Sequence, residues 1–125
     1  MADGAQDCLL VIDVQNAVVA TAHQRDGVVA NIASLVERAR ESSIPVIWVQ
    51  HNDAQLVRDT QDWEYVPELV MVSGEPIVHK SYNDAFEETT LESELTSRMV
   101  GKLVVVGAQT EWCIRSTLHG AIARG

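Results

Sequence analysis

The chain has 125 residues, 46% of them hydrophobic and 22% charged, with 18 acidic against 9 basic side chains and a formal net charge of -9. That balance fits one globular domain over residues 1–125 and excludes a disordered chain, which has too little apolar surface to offset its ordering entropy. A field of this sign repels phosphate backbones and anionic headgroups, which argues against nucleic acid and membrane surfaces as partners.

The opening segment, Met1 to Asp7, is short and acidic and lacks the basic start of a secretory leader. No apolar run reaches the ~20 residues that cross a bilayer, so a cytoplasmic location is expected. Cys8 to Ile12 is an unbroken apolar run closed by Asp13, as expected of a strand buried on both faces of a parallel sheet. Val28, Ile32, Leu35, Val36 and Ala39 then recur with helical spacing up to Arg40, and Pro45 keeps the residue before it out of a helix. Val46 to Val49 is the second strand. His51 to Val72 is polar and irregular, a long surface loop interrupted by an apolar patch from Trp63 to Leu69.

Pro76 to His79 is the third strand, ending at Lys80. Thr89 and Glu92 have capping-box spacing and predict a helix start, with Gly101 placed to end that helix. Leu103 to Val106 is the fourth strand, Gly107 begins its exit turn, and a last helix is expected from Cys113 to Arg124. Strands alternating with helices predict an α/β domain with a mostly parallel sheet.

Asp13, Lys80 and Cys113 all stand just past strand ends, at the edge where sites of open parallel sheets gather. A cysteine attacks as its thiolate, and a helix N-terminus and a neighbouring ammonium both favour that form. A carboxylate beside it can take the thiol proton and return it to a leaving amine. Backbone N–H groups of the Gly107 to Cys113 turn can receive an oxyanion. Taken singly, each has an ordinary reading: a small apolar thiol, a turn-capping aspartate, a solvated surface lysine. Cys8, inside the first strand, is expected to be core. Because the two cysteines form no CxxC pair, both are expected as free thiols. Trp63, Trp112, Tyr82 and Phe86 suit either an apolar pocket or core, with Trp112 beside the candidate nucleophile the strongest pocket candidate; Gln15 and His51 are added to the pocket set. His79 and His119 are expected to be structural or on the surface.

Three segments together resemble the isochorismatase-like cysteine hydrolases: Leu9-Leu10-Val11-Ile12-Asp13-Val14-Gln15-Asn16, Val78-His79-Lys80-Ser81-Tyr82-Asn83-Asp84-Ala85-Phe86 with Thr89 and Leu91, and Val104-Val105-Val106-Gly107-Ala108-Gln109-Thr110-Glu111-Trp112-Cys113-Ile114-Arg115-Ser116-Thr117. Trp63, Pro67, Glu68 and Leu69 also match that family's intervening stretch. The resemblance implies a Rossmann-like three-layer α/β/α fold, a catalytic triad of Asp13, Lys80 and Cys113, and hydrolysis of small amide, imide or carbamoyl compounds. It also implies a cis bond at Ala108–Gln109, which would aim the N–H groups of Gln109 and Cys113 at one oxyanion.

Nicotinamidases of that family hold a metal through an Asp-x-His pair and a further His. Here His51-Asn52-Asp53 supplies two donors without a third, and Asp62-Trp63 is followed by Glu64, so no metal and no cofactor are expected. Family members continue past the equivalent of Gly125 by further strands and a helix. With the family strand order 3-2-1-4-5-6, strand four is then expected as an open edge. A homo-oligomer, dimer or tetramer, is expected with it. The contending expectation is a non-catalytic binding or assembly module that keeps the fold.

Overall fold

The computed structural model describes residues 6–20, 25–81, 90–98 and 100–107. Four strands, β1 (Gln6–Ile12), β2 (Val46–His51), β3 (Ile77–Lys80) and β4 (Val100–Gly107), form one sheet in the order β3-β2-β1-β4. Every pairing is parallel. Among the described residues β4 is an edge, bonded to β1 only, and its Val104 is substantially exposed.

The unbroken apolar runs follow from burial of both sheet faces, because successive side chains point to opposite sides. Leu9 and Val11 of β1, with Val46 and Trp48 of β2, enter one core; Cys8, Leu10 and Ile12, with Ile47 and Val49, enter the other. The first core is closed by α2 (Arg25–Glu41) through Val29, Ile32, Val36 and Ala39. The second is closed in part by Leu91 of α3 (Leu91–Ser97) and by Val78 of β3. Helix, sheet and helix give the expected three layers. No helix among the described residues is long and apolar enough to cross a membrane.

Several local expectations shift. The α2 helix (Arg25–Glu41) already includes residues before Val28, and Val29 joins the core with Val28 packed against it, while Leu35 stays over a third exposed. A one-turn helix, α1 (Asn16–Val19), follows Asp13 where no helix was expected. Position 90, not 89, caps α3, and Thr90 makes no side-chain cap bond; Thr89 itself lies outside the described residues. Gly101 does not end α3, which stops at Ser97; it lies inside β4, because pairing with β1 extends the strand back to Val100. Lys80 is the last residue of β3 rather than the first beyond it, since His51 pairs with it in register. The final helix expected from Cys113 to Arg124 lies outside the described residues.

The loop after β2 folds back along the sheet and is tied down by polar contacts. Arg40 of α2 forks onto Glu75, with Nε to Oε2 and Nη2 to Oε1 both at 2.8 Å, while the Trp48 indole donates to the same carboxylate at 3.0 Å. Burial pushes the Glu75 carboxyl up, but the Arg40, Val72 and Trp48 donors outweigh it and hold it below its ordinary range. Tyr65 stands edge-on to Trp48, with ring centroids 5.3 Å apart. Its hydroxyl donates towards the carbonyls of Val49 at 2.6 Å and Val11 at 3.1 Å, fastening the loop to the ends of β2 and β1. Desolvation first, and then the Asp13 carboxylate, push the Tyr65 phenol well above its ordinary value.

Gly27 sits in α2 with nothing within 4 Å of where a Cβ would be, so Gly27→Ala is expected to raise stability by about 0.5–1 kcal/mol in denaturant unfolding. Tyr65→Phe is expected to lower stability by about 1–2 kcal/mol at neutral pH. Because the folded protein holds the phenol proton more tightly than the unfolded chain, the stability linked to it is complete below about pH 10 and is lost as pH rises towards the folded value. Alkaline melts should therefore show the parent losing stability above that pH more steeply than Tyr65→Phe.

Candidate active site

The carboxyl ends of β1, β2 and β3 bring four polar side chains together. After Ile12 the chain turns at Asp13, whose φ of 59° is left-handed, a conformation that aspartate tolerates better than most residues. The Lys80 Nζ lies 3.1 Å from Asp13 Oδ2. The lysine side chain is wholly buried and the aspartate side chain 8% exposed, so each charge has lost its water and depends on the other. The second carboxylate oxygen, Asp13 Oδ1, is buried and has no hydrogen-bond partner among the described residues.

The Lys80 Nζ also lies 3.1 Å from His51 Nδ1. Register explains this contact, because His51 and Lys80 are directly paired across β2 and β3. The other ring nitrogen, Nε2, is 2.9 Å from Asp53 Oδ2. Asp53 is fixed in turn, its Oδ1 accepting from the backbone N–H groups of Leu56 at 2.7 Å and Gln55 at 2.9 Å. The Leu56 N–H, the His51 ring and the Gln55 N–H together draw the Asp53 carboxyl down to about 2.

Gln15 completes the ring of contacts. It is wholly buried, accepting from the His51 N–H at 2.9 Å and donating to the His51 carbonyl at 2.9 Å and the Trp63 carbonyl at 2.7 Å. Its carboxamide thus pairs with the end of β2 as a neighbouring strand would. Both ends of the Gln15 carboxamide are engaged by the backbone.

Of the residues expected at the site, Asp13, Lys80, His51 and Gln15 are brought together. Cys113, Gln109, Trp112, Tyr82 and Phe86 lie outside the described residues, as does the Ala108–Gln109 bond. Trp63 stacks on His79, with centroids 6.0 Å apart and planes 10° from parallel. Burial first, and then Arg58, draw the His79 imidazole below its ordinary value. Cys8 is a buried free thiol, and desolvation pushes it up to about 11, so it is inert at neutral pH.

Sequence reasoning missed two contributors. Asp53 was considered only as a metal donor, yet it holds the His51 ring. Tyr65 was part of an undifferentiated loop patch, yet it abuts Asp13 and clamps two strand ends. A tyrosine inside an irregular loop has no periodicity to place it, so only the folded chain reveals that contact. Both His51 ring nitrogens already have partners, and the described residues contain no group of three His, Cys, Asp or Glu side chains that could hold an ion.

Comparison with known proteins identifies the family and the fold. The isochorismatase domain model matches residues 7–125. A protein of Arabidopsis thaliana described as a "probable inactive nicotinamidase" is 33% identical, over 92% of this chain and 72% of its own length. The ureidoacrylate amidohydrolase of Methylobacterium radiotolerans is 27% identical, over 98% of this chain and 64% of its own. The crystal structure of an isochorismatase from Pseudomonas putida superposes with a TM-score of 0.88 at 27% identity, over 96% of this chain and 65% of that one. The chain spans 49% to 72% of the length of four curated relatives that it matches. With the described sheet and the Asp13–Lys80 pair inside the matched span, the chain belongs to the isochorismatase family of hydrolases.

Proposed function

We propose that the chain is a cysteine-dependent hydrolase of small amide, imide or carbamoyl-type C–N bonds, with Cys113 as nucleophile, Asp13 as general base and acid, and Lys80 as stabiliser of negative charge. The observation that carries this reading is the buried pair at 3.1 Å in which Asp13 offers one oxygen to Lys80 while its other has no partner among the described residues. A carboxylate so divided keeps lone pairs for a proton, and the fixed ammonium keeps it oriented.

In this mechanism Asp13 takes the Cys113 thiol proton, and the thiolate adds to the substrate carbonyl carbon. The resulting oxyanion is received by the backbone N–H groups of Gln109 and Cys113. Collapse breaks the C–N bond, Asp13 returns its proton to the leaving nitrogen, and a thioester remains on Cys113. Water, deprotonated by Asp13, then attacks the thioester and releases the acid and the thiol. Relatives named as an amidohydrolase, an amidase and a streptothricin hydrolase support the C–N class. Trp112, Phe86, Tyr82 and His51 are proposed to line the pocket, with Gln15 holding the His51 backbone. The reading extends to a cytoplasmic homo-oligomer, dimer or tetramer, acting on a small molecule without cofactor.

A second reading, a non-catalytic module that keeps the fold, is favoured by the Arabidopsis relative described as inactive. A panel of small amides, imides and carbamoyl compounds, assayed with Cys113→Ala as blank, separates the two. Cys113-dependent turnover is expected, and its absence across the panel would favour the module. On a substrate that is turned over, Asp13→Asn is expected to lower kcat by about a hundred- to ten-thousand-fold. Alkylation of Cys113 by iodoacetamide is expected to have a pH midpoint below the ordinary thiol value of about 8.5. Lys80→Met should raise that midpoint by about 1–3 units. A midpoint at the ordinary value in both proteins would remove the thiolate from the mechanism.

A further inference from the structure

The Lys80 ammonium is gripped from two sides, by Asp13 Oδ2 and by His51 Nδ1, each at 3.1 Å. An ammonium only donates, so His51 Nδ1 must accept, and the ring hydrogen must sit on Nε2. There it meets Asp53 Oδ2 at 2.9 Å, an acceptor that two backbone N–H groups hold in place. Asp53 therefore selects the same tautomer that Lys80 requires. The backbone of His51 is fixed as well, because the Gln15 carboxamide pairs with both its N–H and its carbonyl.

The chain of contacts Gln15, His51, Lys80, Asp13 closes on itself, since Gln15 lies two residues past Asp13. Three strand ends are thereby locked in one ring. An acceptor across the strand pair, beside Asp13, narrows the rotamer freedom of the lysine stem. Resting on the hydrolase reading above, we infer that His51 is a positioning residue whose Nδ1 holds the Lys80 ammonium in register with Asp13, in the tautomer that Asp53 imposes. The imidazole acts through Lys80 and does not need to touch substrate.

Three substitutions separate this role from a merely structural one. In His51→Asn the amide oxygen occupies the place of Nδ1 and still accepts from Lys80. In His51→Gln the amide takes the place of Nε2 and leaves the Nδ1 position without an acceptor. His51→Leu removes both. The readout is the pH midpoint of Cys113 alkylation by iodoacetamide, with Lys80→Met as reference, Cys113→Ala reporting any labelling of Cys8, and thermal melts monitoring folding.

His51→Gln and His51→Leu are expected to raise the midpoint by about 1 unit, slowing alkylation up to about tenfold at a pH below both midpoints, with His51→Asn remaining near the parent. Should His51→Leu fail to fold, the contrast between the Asn and Gln variants decides by itself. If all three match the parent while Lys80→Met shifts, the positioning role is overturned and the hydrolase reading stands. Equal shifts in all three, Asn included, also overturn it, because the acceptor would then be irrelevant. If Lys80→Met itself shifts nothing, Lys80 does not act on the thiolate, and the positioning role of His51 is overturned with it.

Discussion

A lysine and an aspartate buried against each other at the carboxyl edge of a parallel sheet set the terms for everything around them. Taking two charges out of water costs several kcal/mol per ion, and the pair recovers it only when geometry and further hydrogen bonds are both good. Leaving one charge behind without the other is expected to be far worse, about 3–5 kcal/mol for removal of a single partner. The fold must therefore deliver Asp13 and Lys80 to the same point within a few tenths of an ångström. It does so through register: β1 pairs with β2, β2 pairs with β3, and the polar residues stand where each strand ends.

Register alone would leave the strand ends to fray, and the surrounding polar contacts oppose that. Gln15 extends the β2 ladder with a side chain, Tyr65 bridges the carbonyls of Val11 and Val49, and the Asp13 N–H bonds to the Val49 carbonyl at 3.0 Å. None of these groups can be replaced by water in so closed a space without cost, because buried polar groups need their partners. The long loop after β2 is thereby more than a connection. It supplies Asp53 to the His51 ring, the Trp63 carbonyl to Gln15 and Gln50, and Tyr65 to the sheet edge. Loops ordered in this way from a rigid scaffold are where binding and catalytic groups usually reside.

The two faces of the sheet divide the work. Alternating side chains of β1 and β2 fill one core under α2 and another towards α3, which makes the sheet a rigid platform. Cys8 belongs to that platform, and burial suppresses its ionisation. The polar edge can then carry strained and desolvated groups, such as the left-handed Asp13, because the apolar layers stabilise the whole.

Uninterrupted apolar runs were enough to place β1 and β2, since a strand buried on both faces has no alternation to hide, and order along the chain was enough to predict a parallel α/β sheet; β3 instead alternates, with Val78 and Lys80 buried and Ile77 and His79 exposed. Asp13 and Lys80 stood out for the same reason, as charges abutting apolar runs. Ends of elements were less legible. Gly101 has the chemistry of a helix stop, yet pairing with β1 draws it into β4; Thr89 has capping-box spacing, yet α3 is capped at Thr90. Such local signals are worth about a kcal/mol or less and yield to sheet pairing, which commits several hydrogen bonds at once. What the amino-acid sequence determined by itself was the kind of fold and the placement of Asp13 and Lys80 at one edge of the sheet. Only the tertiary structure decided that His51 turns Nδ1 to Lys80 and Nε2 to Asp53, because that choice depends on strand register and on a loop whose path no periodicity encodes.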